Sequence, residues 1–127
     1  MELPAIVTLI ALLEYNVFGF RVGSGRAAHN VEAPYTNGNE EWQRLNRVHQ
    51  NTLEQLIVFI PALWIFCQYW SPTVGAGIGA IFIIARPIYA AAYVKSPPSR
   101  TIGFASGYLA TVVLVLGGLA GAIMNLL

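Results

Sequence analysis

This sequence carries very little charge for a chain of 127 residues, since only 10% of its residues are Asp, Glu, Lys or Arg. Soluble domains carry about 25% charged residues, so this composition excludes an ordinary soluble protein. The net charge of +1 excludes a nucleic-acid-binding protein, which needs a dense basic surface. The single cysteine, Cys67, excludes an intrachain disulfide. The two histidines, His29 and His49, have no cysteine near them, so the spacing of a zinc site is absent.

What the sequence does contain is long hydrophobic segments. A bilayer core of about 30 Å needs roughly 20 helical residues. Four segments meet this requirement and predict an all-α integral membrane protein, a four-helix bundle that forms one domain over residues 1–127. The first segment lacks the basic residues that precede a cleavable signal peptide, so we expect it to be the first span. The spans are expected at residues 3–20, 44–70, 74–93 and 100–125.

The connections between the spans differ in length. Ser71-Pro72-Thr73 predicts a tight turn between spans two and three, because proline cannot continue the preceding helix. The longest polar segment, residues 22–41, is rich in Gly, Asn, Ala and Glu, and it predicts a loop between spans one and two.

The basic residues are distributed asymmetrically among the spans. In a four-helix topology, the loop between spans one and two and the loop between spans three and four lie on the same side of the membrane. The positive-inside rule predicts that this side is cytoplasmic and that both chain termini lie on the opposite side. All the basic residues map to these two loops or the adjoining helix ends, namely Arg21, Arg26, Arg44, Arg47, Arg86, Lys95 and Arg100.

The first candidate site is a polar stripe at the start of span two. Arg44, Arg47, Asn51 and Glu54 are separated by 3, 4 and 3 residues, which places them on one helix face. Charged groups next to hydrocarbon are destabilising unless they are paired or face a polar cavity. The stripe therefore predicts a binding site for a charged small molecule. Arg44 lies one turn nearer the interface, so we expect it at a helix end or a subunit contact.

A second polar face occurs on span three, where Arg86, Tyr89 and Tyr93 are spaced by 3 and 4 residues. Tyrosines are common anchors at membrane interfaces, but Arg86 lies about two turns inside the span and needs a partner. Its candidate partners are Glu54 on span two and Glu14 on span one.

A third feature lies just before span four, where Ser99 is predicted to cap the helix and Arg100 to lie in its first turn. A helix N-terminus carries partial positive charge, and a guanidinium adds a full one. Positive surroundings favour the thiolate form of a thiol. Arg100 is therefore a candidate for stabilising a reactive thiolate, with a simple positive-inside anchor as the alternative.

Together, the cytoplasmic ends of spans two, three and four offer guanidiniums, a carboxylate, an amide and two phenols. A peptide-like ligand with two carboxylates, one ammonium and one thiol fits this set. Arginines would pair with the carboxylates bidentately, and Glu54 could accept the ammonium. Glutathione is such a ligand.

The segments that carry these residues also form a recognisable pattern. They comprise residues 33–38 (APYTNG), residues 41–54 (EWQRLNRVHQNTLE) and residues 85–89 (ARPIY), followed by Tyr93 and Arg100. This pattern resembles the MAPEG family of membrane-associated proteins in eicosanoid and glutathione metabolism, which includes microsomal glutathione transferases and leukotriene C synthase. The resemblance covers nearly the whole chain.

The resemblance implies a homotrimer that binds glutathione as cosubstrate between neighbouring subunits. Ala27 follows Arg26 where eicosanoid-making members often have consecutive basic residues, and Phe104 stands where some members have tyrosine. A specific eicosanoid product is therefore not indicated. The implied site consists of Arg100 as the thiolate-stabilising residue, Arg26 as a contact to glutathione or to the second substrate, and the glutathione-binding residues Arg47, Asn51, Glu54, Arg86, Tyr89 and Tyr93.

The leading hypothesis is a glutathione-dependent transferase or peroxidase, whose second substrate is an apolar electrophile or lipid hydroperoxide that arrives from the membrane lipid. One alternative is a small proton-coupled multidrug transporter, which the four spans and the membrane-embedded Glu14 suggest. A position of Glu14 in a central cavity between subunits would favour transport, and its pairing with Arg86 would favour the transferase. Another alternative is a family member that binds glutathione without catalysis.

Overall fold

The computed structural model describes residues 1–127, which form four long helices joined by short connections. Each long helix has the length and apolar composition needed to cross a membrane, as expected of a multi-pass integral membrane protein. The prediction of an all-α protein with four candidate spans is confirmed. The helices are α1 (Glu2–His29), α2 (Glu40–Tyr69), α3 (Pro72–Lys95) and α4 (Thr101–Leu126), and a 3-10 helix (Pro97–Arg100) precedes α4.

The helix ends follow from local side chains. Asn39 caps α2, because its side-chain oxygen accepts a hydrogen bond from the backbone N–H of Trp42 at 2.9 Å. Ser71 caps α3 in the same way through the N–H of Val74 at 3.2 Å, and Pro72 occupies the first helical position. These two caps place the start of α2 at residue 40 and confirm the tight turn predicted between spans two and three.

The bundle is organised around its two middle helices. α2 and α3 contact every other helix, whereas α1 and α4 have no contact with each other. The main core lies between the middle helices, where the rings of Phe59 and Phe82 stack with centroids 4.0 Å apart. Leu63 and Leu114 are fully buried in the same cluster. The outward faces of α1 and α4 remain apolar and exposed, as suits contact with lipid or with another subunit.

The predicted loop over residues 22–41 is wrong in its first part. α1 continues as a helix to His29, and residues 30–39 alone connect it to α2. The segment that suggested a loop instead packs as helix against Trp42: a Cβ at Gly25 would be in ordinary van der Waals contact with Cδ1 of Trp42, at 3.4 Å. The fully buried Trp42 indole also donates a hydrogen bond to the carbonyl of Val22 at 3.0 Å. This contact between helices outweighs the low helix propensity of glycine.

Candidate functional site

A cavity of about 480 Å³ opens at the end of the bundle where α2, α3, the 3-10 helix and α4 meet. Its wall is polar toward α2 and toward Arg100 of the 3-10 helix, and aromatic toward α3 and Phe104 of α4. Five predicted site residues line it: Arg47, Asn51, Tyr89, Tyr93 and Arg100. Spans two, three and four therefore contribute to one cavity in a single chain, as the sequence predicted for these residues.

Arg86 is buried behind this cavity instead of lining it. Its side chain is only 3% exposed, and both terminal nitrogens donate to Oδ1 of Asn51 at 3.1 Å. The guanidinium also lies over the Tyr89 ring, 4.3 Å from the ring centroid. Neither candidate carboxylate partner, Glu54 or Glu14, forms a direct ion pair with Arg86. The side-chain amide of Asn51, on α2, is the hydrogen-bond partner of Arg86 instead of a carboxylate.

Glu54 pairs with Arg47 on the same face of α2. Nη1 of Arg47 donates to Oε1 of Glu54 at 3.0 Å, two turns apart along the helix. The two side chains are 48% and 58% exposed, so the pair contributes little to stability and can exchange partners. Glu54 does not line the cavity itself and connects to it through Arg47.

Arg100 lies at the mouth of the cavity, where the 3-10 helix runs directly into α4. Its Nη1 donates to the carbonyl of Pro97 at 2.8 Å, and its remaining donors are free for a ligand. The prediction that Ser99 caps the fourth span is wrong. The Ser99 hydroxyl bonds backward, to the carbonyls of Ala92 at 3.1 Å and Ser96 at 2.7 Å, and so fastens the 3-10 helix to the end of α3.

Arg26 and Arg44 are held away from the cavity within one chain. Nη1 of Arg26 donates to the carbonyls of Glu32 at 3.3 Å and Tyr35 at 2.8 Å, and its guanidinium lies over the Trp42 ring at 4.5 Å. Arg26 therefore fastens the connection between α1 and α2. Arg44 donates to the carbonyl of Val94 at 3.2 Å, which ties the start of α2 to the end of α3.

Four further residues line the cavity without having been predicted: Pro97, Thr101, Phe104 and Ala105. All four lie close to Arg100 in sequence. The spacing of four residues from Arg100 to Phe104 places both on one helix face, and it could have indicated Phe104 as a lining residue. Phe104 continues a row of aromatic rings. Its centroid lies 6.0 Å from that of Tyr89 and 5.9 Å from that of Tyr108, and Tyr89 lies 5.7 Å from Tyr93. This row leads from the cavity along α4 to the exposed side of the bundle.

Glu14, in the middle of α1, is the remaining charged group within the bundle. Its Oε1 is buried and has no hydrogen-bond partner. The residue does not line the site cavity. The next residue, Tyr15, stacks on His49 of α2 with ring centroids 4.4 Å apart. His49 therefore packs against α1 and does not enter the cavity.

Comparison with known proteins places the chain in a family. A 42% identical protein of Synechocystis sp., described as uncharacterized, aligns over 123 residues, or 97% of this chain and 90% of that protein. Mouse microsomal glutathione S-transferase 2 is 33% identical over 98% of this chain and 86% of its own. Guinea pig leukotriene C4 synthase is 31% identical over 79% of this chain and 67% of its own. The MAPEG family model matches residues 4–120, and the chain therefore belongs to the MAPEG family.

Proposed function

We propose that this chain is a membrane-bound glutathione-dependent transferase or peroxidase that activates the glutathione thiol as a thiolate. The observation that carries the proposal is the cavity at the helix ends, where α2 contributes Arg47 and Asn51 and the 3-10 helix before α4 contributes Arg100. Membership of the MAPEG family, with relatives named as a glutathione S-transferase and a leukotriene C4 synthase, supports glutathione-related transferase activity at the level of the family.

Glutathione matches the charges around this cavity. Arg47 can pair with a carboxylate of the tripeptide, and Glu54, now bonded to Arg47, can take the ammonium. Breaking the exposed ion pair between Arg47 and Glu54 to bind a ligand that carries the same two charges costs little free energy. Asn51 offers its amide, and Tyr89 and Tyr93 offer phenol groups on the facing wall.

Arg100 is the proposed catalytic residue. Its guanidinium and the first N–H groups of α4 both favour an anion at the cavity mouth. In conjugation, the thiolate sulfur attacks an electrophilic carbon, the S–C bond forms as the bond to the leaving group breaks, and the thiol proton passes to solvent. With a hydroperoxide, sulfur attacks the terminal oxygen, the O–O bond breaks and an alcohol leaves. A second glutathione then converts the sulfenic acid to glutathione disulfide and water.

The aromatic row is the proposed approach for the second substrate. It connects the cavity with the exposed face of α4, which in a membrane contacts lipid. An apolar electrophile or a lipid hydroperoxide dissolved in the bilayer could therefore reach Arg100 without crossing water. Phe104 and Ala105 line this apolar side of the cavity.

We further propose a homotrimer with the cavity on the cytoplasmic side and both termini on the other. The basic residues concentrate at the cavity end, which supports this orientation through the positive-inside rule. The exposed apolar faces of α1 and α4, which do not cover each other, support packing against neighbouring copies. In such an assembly, Arg26 would reach glutathione from a neighbouring subunit.

The test is turnover by the purified protein in detergent or nanodiscs. We expect glutathione to bind, and we expect either conjugation to an aryl halide such as chlorodinitrobenzene or oxidation to the disulfide with a lipid hydroperoxide. Binding without either product would identify a non-catalytic family member. Absence of glutathione binding, together with proton-driven export of a cationic dye from proteoliposomes, would contradict the proposal and establish the transporter.

A further inference from the structure

Arg86 and Glu14 are two opposite charges placed inside the bundle, far from the helix ends. Arg86 is 3% exposed, and Oε1 of Glu14 is buried with no hydrogen-bond partner. Glu14 as a whole is only partly buried, and the remaining charged side chains lie on exposed faces or near helix ends. A charge in such surroundings is strongly destabilising unless an opposite charge compensates it.

The hydrogen bonds of Arg86 do not provide that compensation. Its two terminal nitrogens bond one neutral oxygen, Oδ1 of Asn51. Glu14 lies level with Arg86 across the contact between α1 and α3. A Cβ at Gly79 of α3 would lie 2.9 Å from Cγ1 of Val7 in α1, and Arg86 and Glu14 each follow two turns later in helices that run in the same direction. The two groups form no direct ion pair, so their attraction acts through space, in surroundings that screen charge less than water does.

The same contacts determine how Asn51 faces the cavity. A guanidinium has donors and no acceptor, so the atom of Asn51 that meets Arg86 must be the amide oxygen. The amide N–H groups are left to donate to whatever occupies the cavity, which Asn51 lines. Removal of Arg86 would release the amide to rotate, and its orientation would no longer be set.

We propose that Glu14 is a positioning residue of the ligand site, the counter-charge that holds Arg86 in place so that Arg86 orients Asn51. The chain of contacts runs from α1 through α3 to α2 and reaches a cavity that α1 does not line. The role in glutathione binding rests on the proposed function, whereas the coupling of Glu14 to Arg86 does not. Glu14 acts on ligand affinity and not on the reacting sulfur.

The experiment compares Glu14→Gln, Arg86→Met and the double variant, with Glu2→Gln as the matched control. Glu2 lies on the same helix with its side chain 96% exposed. We expect Glu14→Gln to weaken glutathione binding and raise its KM about tenfold, with kcat at saturating glutathione nearly unchanged. In the Arg86→Met background, the same substitution should have no further effect on glutathione affinity. Glu14→Asp, which keeps the charge, should recover most of the affinity.

Thermal unfolding without glutathione provides a readout independent of the proposed function. We expect each single neutralisation to lower the Tm. The double variant should lose less Tm than the two single variants lose together, because it leaves no uncompensated charge. Additive losses, or normal glutathione affinity in Glu14→Gln, would overturn the proposal. If Glu14→Gln does not fold, a folded double variant still supports the coupling, and an unfolded one contradicts it. If wild-type protein binds no glutathione, the proposed function fails, and the unfolding data alone then test whether Glu14 and Arg86 are coupled.

Discussion

The two ends of this helix bundle are built in different ways. At the end with the turn between α2 and α3, helices approach through glycines and aromatic rings, and indole donors bridge them. Trp64 bonds the Thr8 hydroxyl at 2.9 Å, and Trp70 bonds the Gly117 carbonyl at 2.7 Å. At the other end a cavity of about 480 Å³ opens between the helices, and guanidiniums join α2 to α3 in addition to the Trp42 indole that joins α2 to α1.

The difference teaches how a chain this short can be both a membrane scaffold and a binding site. In lipid, helices associate through close packing and not through burial of apolar surface from water, so the tightly packed end supplies the stability. The side chains at the charged end can then be arranged for ligand binding, because the bundle does not depend on them for its stability. Packing and chemistry should therefore be separable by substitution.

The largest effect should come from Arg100→Ala at the charged end. The Arg100 side chain makes one hydrogen bond, to the carbonyl of Pro97, so its loss should change the free energy of unfolding by no more than about 0.5 kcal/mol. If it stabilises the thiolate, kcat should fall about 100- to 1,000-fold. Lys95→Ala is the matched control, since it removes an exposed cation at the same end outside the cavity. Undiminished turnover in Arg100→Ala would remove its catalytic role.

The next effect should come from Gly79→Val at the packed end. A Cβ at Gly79 would lie 2.9 Å from Cγ1 of Val7 and 3.3 Å from Cδ1 of Leu63, so the added methyl groups must push α1 and α2 away from α3. We expect a destabilisation of about 1–3 kcal/mol in detergent, with normal kcat in the folded fraction. At Gly77 no atom lies within 4 Å, so Gly77→Val, with the same helix propensity, should change the Tm little. Equal losses at both positions would refute the packing argument.

The smallest effect should come from Ser99→Ala, which loosens the charged end without removing a charge. The substitution removes the hydroxyl that fastens the 3-10 helix to the carbonyls of Ala92 and Ser96. We expect a destabilisation of about 0.5–1 kcal/mol and a several-fold drop in kcat, because Arg100 is positioned less well. Ser106→Ala is the control, since its hydroxyl bonds only within α4. A loss of stability with unchanged kcat would show that this fastening is not needed to position Arg100.

The success of the sequence-based predictions follows from what helical spacing can report. The steps of three and four residues correctly grouped Arg47 with Asn51, and Tyr89 with Tyr93, because such residues share a face of one helix. The hydrogen-bond partner of Arg86, Asn51, was not predicted, because spacing within α3 says nothing about which side chain of α2 stands opposite. Charge alone suggested a carboxylate, and the packed bundle presents an amide.

The loop and cap predictions failed for a related reason. Gly25 suggests a flexible loop when only local propensity is considered, yet the segment stays helical because it packs against Trp42, a residue distant in sequence. Ser99 has the side chain of a helix cap, but the two consecutive prolines before it favour a 3-10 turn that aims its hydroxyl backward. The helical structure around Gly25 and the direction of the Ser99 hydroxyl both depend on contacts with other elements, which the local sequence does not reveal.

The sequence by itself determined that this protein is helical and membrane-spanning, that its basic residues concentrate at one end, and that it resembles the MAPEG family. These properties depend on hydrophobic length, charge distribution and local motif. Only the tertiary structure decided that Arg86 stands behind Asn51, that Glu14 is left with a buried oxygen and no direct partner, and that Arg26 lies outside the cavity of its own chain. Those outcomes depend on the register between helices, which the packing of side chains selects.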